Sequence, residues 1–227
     1  MEGSQRGVVL LGSTGSIGTQ ALDVVARHSE DFRILALGAG GANVEALARQ
    51  AVQYGAQVVG IADPAAEDEL ARAMTSLASG PVPEIVSGAS AMSSIASMAS
   101  RDDVVLNGIT GSIGLAPTLA ALRTGATLAL ANKESLVVGG PLVTQAAVRP
   151  GQIVPVDSEH SAIAQALSSG RHRKGLTSPL VDGTSEVRRI ILTASGGPFR
   201  GKTRAELAHV TAEAALAHPT WAMGPVV

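Results

Sequence analysis

Gly7-Val8-Val9-Leu10-Leu11-Gly12-Ser13-Thr14-Gly15-Ser16-Ile17-Gly18 is the stretch on which the fold turns. Gly7 to Leu11 is an unbroken apolar run, the pattern of a strand buried on both faces. Glycines 12, 15 and 18 follow in a G-x-x-G-x-x-G pattern, and an amphipathic helix is expected from about Thr19 to Arg27. Such a turn lets backbone N–H groups approach a pyrophosphate, which the positive end of the helix then favours. A tight structural turn would use the same glycines. Their position between strand and helix favours nucleotide binding.

Downstream the same alternation repeats. Strands are expected at Phe32–Leu37, Gln57–Ile61, Asp103–Asn107 and Thr127–Ala131, with helices at Val44–Tyr54, Pro64–Leu77 and from Gly114 through Leu122. Ser87 to Ser100 reads as a helix of small residues whose Met and Ile positions face a core. Strands alternating with helices define an α/β protein with a doubly wound, Rossmann-like parallel sheet. A second glycine loop, Gly108-Ile109-Thr110-Gly111-Ser112-Ile113-Gly114, is expected to flank the same ligand, because loops at the carboxyl ends of adjacent strands line one crevice. After the second strand comes Gly38-Ala39-Gly40-Gly41-Ala42-Asn43, without the acid that bonds a ribose 2′-hydroxyl in NAD-type folds. The missing acid points to NADP.

Composition agrees with this architecture. Hydrophobic residues make up 45% of the 227 residues and aromatics only 2%, so the core must be built from Ala, Val, Leu and Ile. A net charge of −2 offers no basic footprint for nucleic acid, and the absence of cysteine excludes disulfides and thiolate metal sites. With no secretory signal and no apolar stretch long enough to cross a bilayer, a soluble, cytoplasmic protein is expected.

Two further segments carry polar groups to strand ends. Asn132-Lys133-Glu134-Ser135 follows a strand, where a cation beside an anionic ligand has a use. Gln152 to Val156 reads as a buried strand, Ser158 to Leu167 as a helix, and Pro155-Val156-Asp157-Ser158-Glu159-His160 as the junction between them. Asp157 and Glu159 suit Mg²⁺ or Mn²⁺, which prefer carboxylate and water oxygens. The alternative is plain helix capping, since Asp is a good N-cap and acids favour a first turn. Two carboxylates are also fewer ligands than a hard cation needs. Arg171 to Glu186 reads as a surface loop, and Arg189 to Thr193 as a strand delivering Ser195-Gly196-Gly197-Pro198-Phe199-Arg200. That turn either presents a hydroxyl and amides to a phosphate or is simply tight. His218-Pro219-Thr220-Trp221-Ala222-Met223-Gly224 has the make-up of a lid.

Together, Leu11 to Gly18, Ala131 to Ser135, Pro155 to His160, Ser195 to Arg200 and His218 to Trp221 resemble, in order and spacing, the 1-deoxy-D-xylulose 5-phosphate reductoisomerase family of non-mevalonate isoprenoid biosynthesis. The resemblance implies an NADPH-binding domain over residues 1–150 and the first part of an α+β catalytic domain over 151–227. It implies that Thr14, Gly15, Ser16, Ile17, Gly40, Asn43, Asn132, Glu134 and Gly224 contact NADPH, and that Asp157 and Glu159 bind Mg²⁺ or Mn²⁺. Lys133, Ser158, Glu159, Ser195, His218 and Trp221 would hold a phosphorylated sugar, with Lys133, Asp157, Glu159 and His218 closest to the chemistry. It further implies a homodimer; charge and hydropathy, as above, leave no expectation of nucleic-acid or membrane partners.

Two departures from the family's pattern stand out. The Gly40–Asn43 loop lacks a lysine that some members carry, and the chain ends at Val227, before the family's third metal ligand and phosphate-binding residues. A weakly active or inactive polypeptide is therefore expected. The residues also allow an NADP-binding module without catalysis, or a simple NADP-dependent dehydrogenase that needs no metal.

Overall fold

The computed structural model describes residues 5–175, 177–178, 180–193 and 196–217. It divides into two compact units, the first reaching Arg188 and the second beginning at Arg189.

In the first unit, strands and helices alternate as their apolar patterns require. β1 (Arg6–Leu11), α1 (Ser16–Arg27), β2 (Phe32–Ala39), α2 (Val44–Gln53) and β3 (Val58–Ile61) come first. A single 3-10 turn at Pro64–Ala66 opens α3 (Glu67–Leu77), followed by β4 (Glu84–Ser87) and α4 (Ala91–Ala96). Then come β5 (Val104–Asn107), α5 (Leu115–Thr124), β6 (Thr127–Leu130), α6 (Glu134–Gly139), α7 (Pro141–Ala146), β7 (Ile153–Pro155) and α8 (Ser158–Leu167). The strands form one sheet in the order β4-β3-β2-β1-β5-β6-β7, and every pairing is parallel.

Alternation along β1 explains the two layers. Val9 and Leu11 face a core shared with α4, α5 and α7, whereas Val8 and Leu10 face one shared with α1, α2 and α3. Leu10, Leu11, Leu37, Leu47, Ile61 and Leu70 are fully buried, each stabilising the fold by about 1.5–3 kcal/mol relative to exposure. Met92 and Ile95 of α4 are buried against the first of these cores, as their helical spacing requires.

The structure corrects three sequence expectations. Ser87 ends strand β4 rather than opening a helix, and α4 is confined to six residues. Pro81 and Pro83 interrupt the approach to Glu84–Ser87 and hide the strand, which gains its ladder only from β3. β7 is an edge strand, not a buried one. It pairs with β6 alone, burying Ile153 and leaving Val154 45% exposed. Arg189–Thr193 forms no strand, and Ile190, Ile191 and Leu192 stay exposed. Among the described residues no ladder partner or apolar face is offered to that segment, and local propensity alone does not hold a strand.

The sheet continues past Pro150-Gly151. Gln152, fully buried, donates to the carbonyls of Leu122 at 2.8 Å and Ala126 at 3.0 Å and accepts from the Val148 amide at 2.9 Å. Within Arg171–Glu186 the described residues form no helix, and an isolated antiparallel bridge joins His172 to Ser185. In the second unit, Gly196 and Gly197 both take positive φ, and Thr211 caps the short helix α9 (Ala212–Leu216) by accepting from the Ala214 amide at 3.2 Å.

Candidate functional site

The chain reverses direction across the sheet after β4, re-entering beside β1 as β5. In an open α/β sheet, ligands bind at the carboxyl ends of the strands where the order reverses. A crevice of about 480 Å³ lies there, lined by Gly12, Thr14 and Gly15 on one side and Gly108, Ile109 and Ile113 on the other. The two glycine loops thus share one crevice, which also reaches Gly40.

Close backbone packing builds this crevice. Gly12 has φ +85°, and a Cβ there would lie 2.9 Å from the Gly108 carbonyl. At Gly18 a Cβ would meet the carbonyl oxygens of Gly12 at 2.3 Å and Ser13 at 2.5 Å, so only glycine lets α1 sit on the turn. Gly15 occupies the N-cap position of α1, and no described side chain caps it. The opening amides of α1 are therefore free for an anion. Ser16 and Ile17 are its exposed first residues. Asn43 spends its side-chain oxygen on α2, accepting from the Ala46 amide at 3.0 Å.

Asn132 is buried, and its amide nitrogen donates to the carbonyls of Ile109 at 2.6 Å and Gly111 at 2.8 Å, holding the second glycine loop. The same nitrogen lies 3.1 Å from a Glu134 carboxylate oxygen. Lys133, between them, points the other way. Its Nζ donates to Asp157 Oδ2 at 3.0 Å. The pair lies 24 residues apart in sequence, yet Leu130 and Pro155 are register partners and both side chains leave just beyond them.

Asp157 stands at the N-cap of α8 but makes no capping hydrogen bond, so capping is not what its carboxylate does. Oδ1 is shielded from solvent and has no hydrogen-bond donor among the described residues. His160 Nδ1 lies 2.7 Å from it without the alignment of a hydrogen bond. Burial alone would raise the Asp157 pKa, but the hydrogen bond and charge of Lys133, with the His160 imidazole, outweigh it and keep it below the usual value. Lys133 is held above its usual value, chiefly by the hydrogen bond to Asp157. Its side chain is 54% exposed, so the pair adds at most about 1 kcal/mol of stability. A shielded, ionised carboxylate whose second oxygen meets only the His160 imidazole among the described residues suits a hard divalent cation.

Ser158 and Glu159 are exposed at the start of α8. Below the pair lies an apolar cavity of about 230 Å³, walled by Leu136, Ile153, Ile163 and Leu167. Among the described residues, the three-residue His/Asp/Glu group whose ligand atoms all lie within 4.8 Å of one another is His28, Glu30 and Asp31. Asp31 accepts from the Arg6 amide, which puts that exposed group at the opposite, amino edge of the sheet. Ser195, His218, Trp221 and Gly224 lie outside the described residues. Sequence reasoning missed Asn107, Thr118 and Ser135, buried polar residues that hold the second loop. Asn107 carried a signal as a polar residue closing an apolar strand, and Ser135 as the end of the polar segment after the next one; Thr118 carried none.

An all-parallel sheet with a glycine-lined crevice at its switch point defines a dinucleotide-binding α/β protein of the Rossmann-like class. Residues 8–140 match the family model described as 1-deoxy-D-xylulose 5-phosphate reductoisomerase, and residues 153–227 match the C-terminal domain model of the same enzyme. The chain belongs to the 1-deoxy-D-xylulose 5-phosphate reductoisomerase family. It is 57% identical to the reductoisomerase of Kitasatospora griseola over 97% of this chain and 53% of that protein. A solved reductoisomerase from Zymomonas mobilis, in complex with NADPH, is 39% identical with a TM-score of 0.76, over 95% of this chain and 52% of that one. Another, in complex with NADPH, fosmidomycin and magnesium, is 31% identical with a TM-score of 0.75, over 97% and 52%. The chain spans about half the length of the curated relatives it matches.

Proposed function

We propose that the chain carries the cofactor crevice and part of the metal and substrate site of an enzyme converting 1-deoxy-D-xylulose 5-phosphate to 2-C-methyl-D-erythritol 4-phosphate. The observation that carries this reading is the Asp157 carboxylate, ionised, held by Lys133 through one oxygen and facing the His160 imidazole at 2.7 Å with the other, shielded one, on the same strand-end face as the glycine crevice. NADPH supplies the hydride, and a divalent cation, Mg²⁺ or Mn²⁺, supplies Lewis acidity toward the substrate's ketone and hydroxyl oxygens. Thr14, Gly15, Ser16 and Ile17 cradle the cofactor's pyrophosphate at the uncapped end of α1. Gly40 and Asn43 lie toward the adenosine end, in a loop whose own residues include no acid to bond a ribose 2′-hydroxyl. Asn132 fixes the loop on the other side, and Glu134 stands beside it.

Asp157 and Glu159 are the cation's ligands from this chain. Lys133 brings positive charge next to them, and Ser158 faces the substrate. Ser195, His218 and Trp221 are assigned to the substrate and Gly224 to the cofactor by the family resemblance alone, since all four lie outside the described residues. On this reading the cofactor domain runs to about residue 150; the family matches, which stop at 140 and resume at 153, are in keeping with it, while β7 of the same sheet lies beyond it. No helix among the described residues is long and apolar enough to cross a membrane. A cytoplasmic homodimer is the assembly that goes with this reading.

The test is NADPH oxidation on adding 1-deoxy-D-xylulose 5-phosphate, with and without Mn²⁺. Any oxidation this chain supports is expected to vanish with the metal. Substrate-dependent oxidation that persists without metal would make it a simple dehydrogenase.

A further inference from the structure

Four buried polar side chains form a closed circuit between the two halves of the candidate site. The Ile109 amide donates to Asn107 Oδ1 at 3.1 Å, and Asn107 Nδ2 donates to Thr118 Oγ1 at 2.9 Å. Thr118 Oγ1 donates to Ser135 Oγ at 3.1 Å, and Ser135 Oγ donates to Asn132 Oδ1. Asn132 Nδ2 returns to the Ile109 carbonyl at 2.6 Å. Each hydroxyl in the circuit gives one hydrogen bond and receives one, so the direction of donation is fixed all the way round. Thr118 and Ser135 are fully buried, and so is Asn107. Branches reinforce the circuit: Asn107 Nδ2 also donates to the Gly114 carbonyl at 2.9 Å, and the Ser135 amide to Asn132 Oδ1 at 3.0 Å.

We propose that Asn107, Thr118 and Ser135 are positioning residues that join the second glycine loop and the Lys133 turn into one rigid piece. Ile109, which lines the crevice, is held through both its amide and its carbonyl. Lys133, which reaches Asp157, stands between two members of the circuit, Asn132 and Ser135. No member of the trio lines the crevice or the apolar cavity, so they act only through the segments they hold. Such a circuit keeps a hydride donor in the crevice and a substrate beside Lys133 in fixed register, which a reaction between two bound molecules requires. The inference rests on the proposed function for its cofactor arm alone.

Thr118 is the place to cut. Thr118→Val keeps the shape and removes both hydrogen bonds, whereas Thr118→Ser keeps the hydroxyl and removes a methyl group. The full chain is studied by amide hydrogen exchange at Ile109 and Ser135, referenced to Leu10 and Leu37 in the sheet, and by NADPH titration. Thr118→Val is expected to speed exchange at both amides about tenfold relative to the reference amides, and to weaken NADPH binding about tenfold, the scale of a lost buried partner. Thr118→Ser is expected to behave as the parent in both. Parent-like exchange in Thr118→Val, acceleration in only one of the two segments, or Thr118→Ser proving the worse variant would each overturn the proposal, the last by showing that packing alone matters. Failure of the parent chain to bind NADPH would remove the proposed function, while the exchange arm still decides whether the circuit joins the segments.

Discussion

Gly18→Ala sets two physical effects against each other with a definite winner. Gly18 is the third residue of α1, and helix propensity alone gives alanine an advantage of about 0.8–1.0 kcal/mol over glycine. Against this, the new Cβ would lie 2.3 Å from the Gly12 carbonyl oxygen and 2.5 Å from that of Ser13. Both are backbone atoms that cannot rotate aside. Gly12 is itself pressed against the Gly108 carbonyl, so the turn has little room to retreat. Overpacking of a tight contact costs about 1–3 kcal/mol, and here the relief must move α1 off the sheet. The net expectation is a loss of about 1–2 kcal/mol, or roughly 2–8 °C in Tm for a domain of this size. Gly15→Ala is the companion. Its Cβ would meet only the Gly12 carbonyl, at 3.4 Å, an ordinary contact, so stability should stay within about 0.5 kcal/mol. The same methyl stands where the cofactor's phosphates approach, and NADPH affinity should fall about tenfold, roughly 1.4 kcal/mol. Urea denaturation followed by circular dichroism, beside an NADPH titration, separates the two. A Gly18→Ala chain as stable as its parent would refute the reasoning, because it would mean the turn yields freely.

Two other outcomes are expected. Asp157→Asn should leave the urea midpoint almost unmoved, since the Lys133 end of its ion pair is half exposed, yet abolish Mn²⁺ binding measured by electron paramagnetic resonance. Retained Mn²⁺ binding would move the metal site elsewhere. Asp103 anchors the amino edge of the sheet, accepting from the Gly7 amide at 2.9 Å and from the Ser100 amide and hydroxyl at 2.7 and 2.6 Å. Burial alone would raise its pKa, but the Ser100 and Gly7 hydrogen bonds outweigh this and hold it below 3.8. A depressed folded value means the stabilisation is complete above the unfolded pKa and is lost as pH falls through the folded one. Asp103→Asn should therefore flatten the acid limb of the stability–pH profile below about pH 4 and cost about 1–2 kcal/mol at neutral pH, where an amide N–H would face the Ser100 donors. An unchanged acid limb would show that Asp103 is not the linked group.

How much of this was legible depended on the range of the interaction. β1, β5 and β6 announced themselves by their apolar runs, as inner strands of a parallel sheet covered on both faces are mostly apolar. The first crevice wall was legible as well, since Gly12 and Gly18 are glycines for local steric reasons. β4 was not, because Glu84–Ser87 is a strand only by virtue of β3 beside it. Arg189–Thr193 failed the opposite way, with strand-forming residues and no partner among the described ones. At the site, spacing brought Asp157 to a strand end but left capping and metal binding open. What settles its environment is Lys133, placed there by the adjacency of β6 and β7. Thr118 gave no signal at all, and Ser135 was legible only as the end of a polar strand-end segment. A hydroxyl on a helix reads as surface until the sheet order shows what it faces.

The most direct test is a titration of the chain with NADPH and, in parallel, NADH, followed by cofactor fluorescence. Saturable binding of NADPH is expected, with weaker binding of NADH because the loop after β2 lacks the acid that bonds a ribose 2′-hydroxyl, and loss of both on Gly12→Val, whose side chain has no room against Gly108. Absence of NADPH binding by the folded parent chain would contradict the assignment of the crevice, and the functional reading built on it.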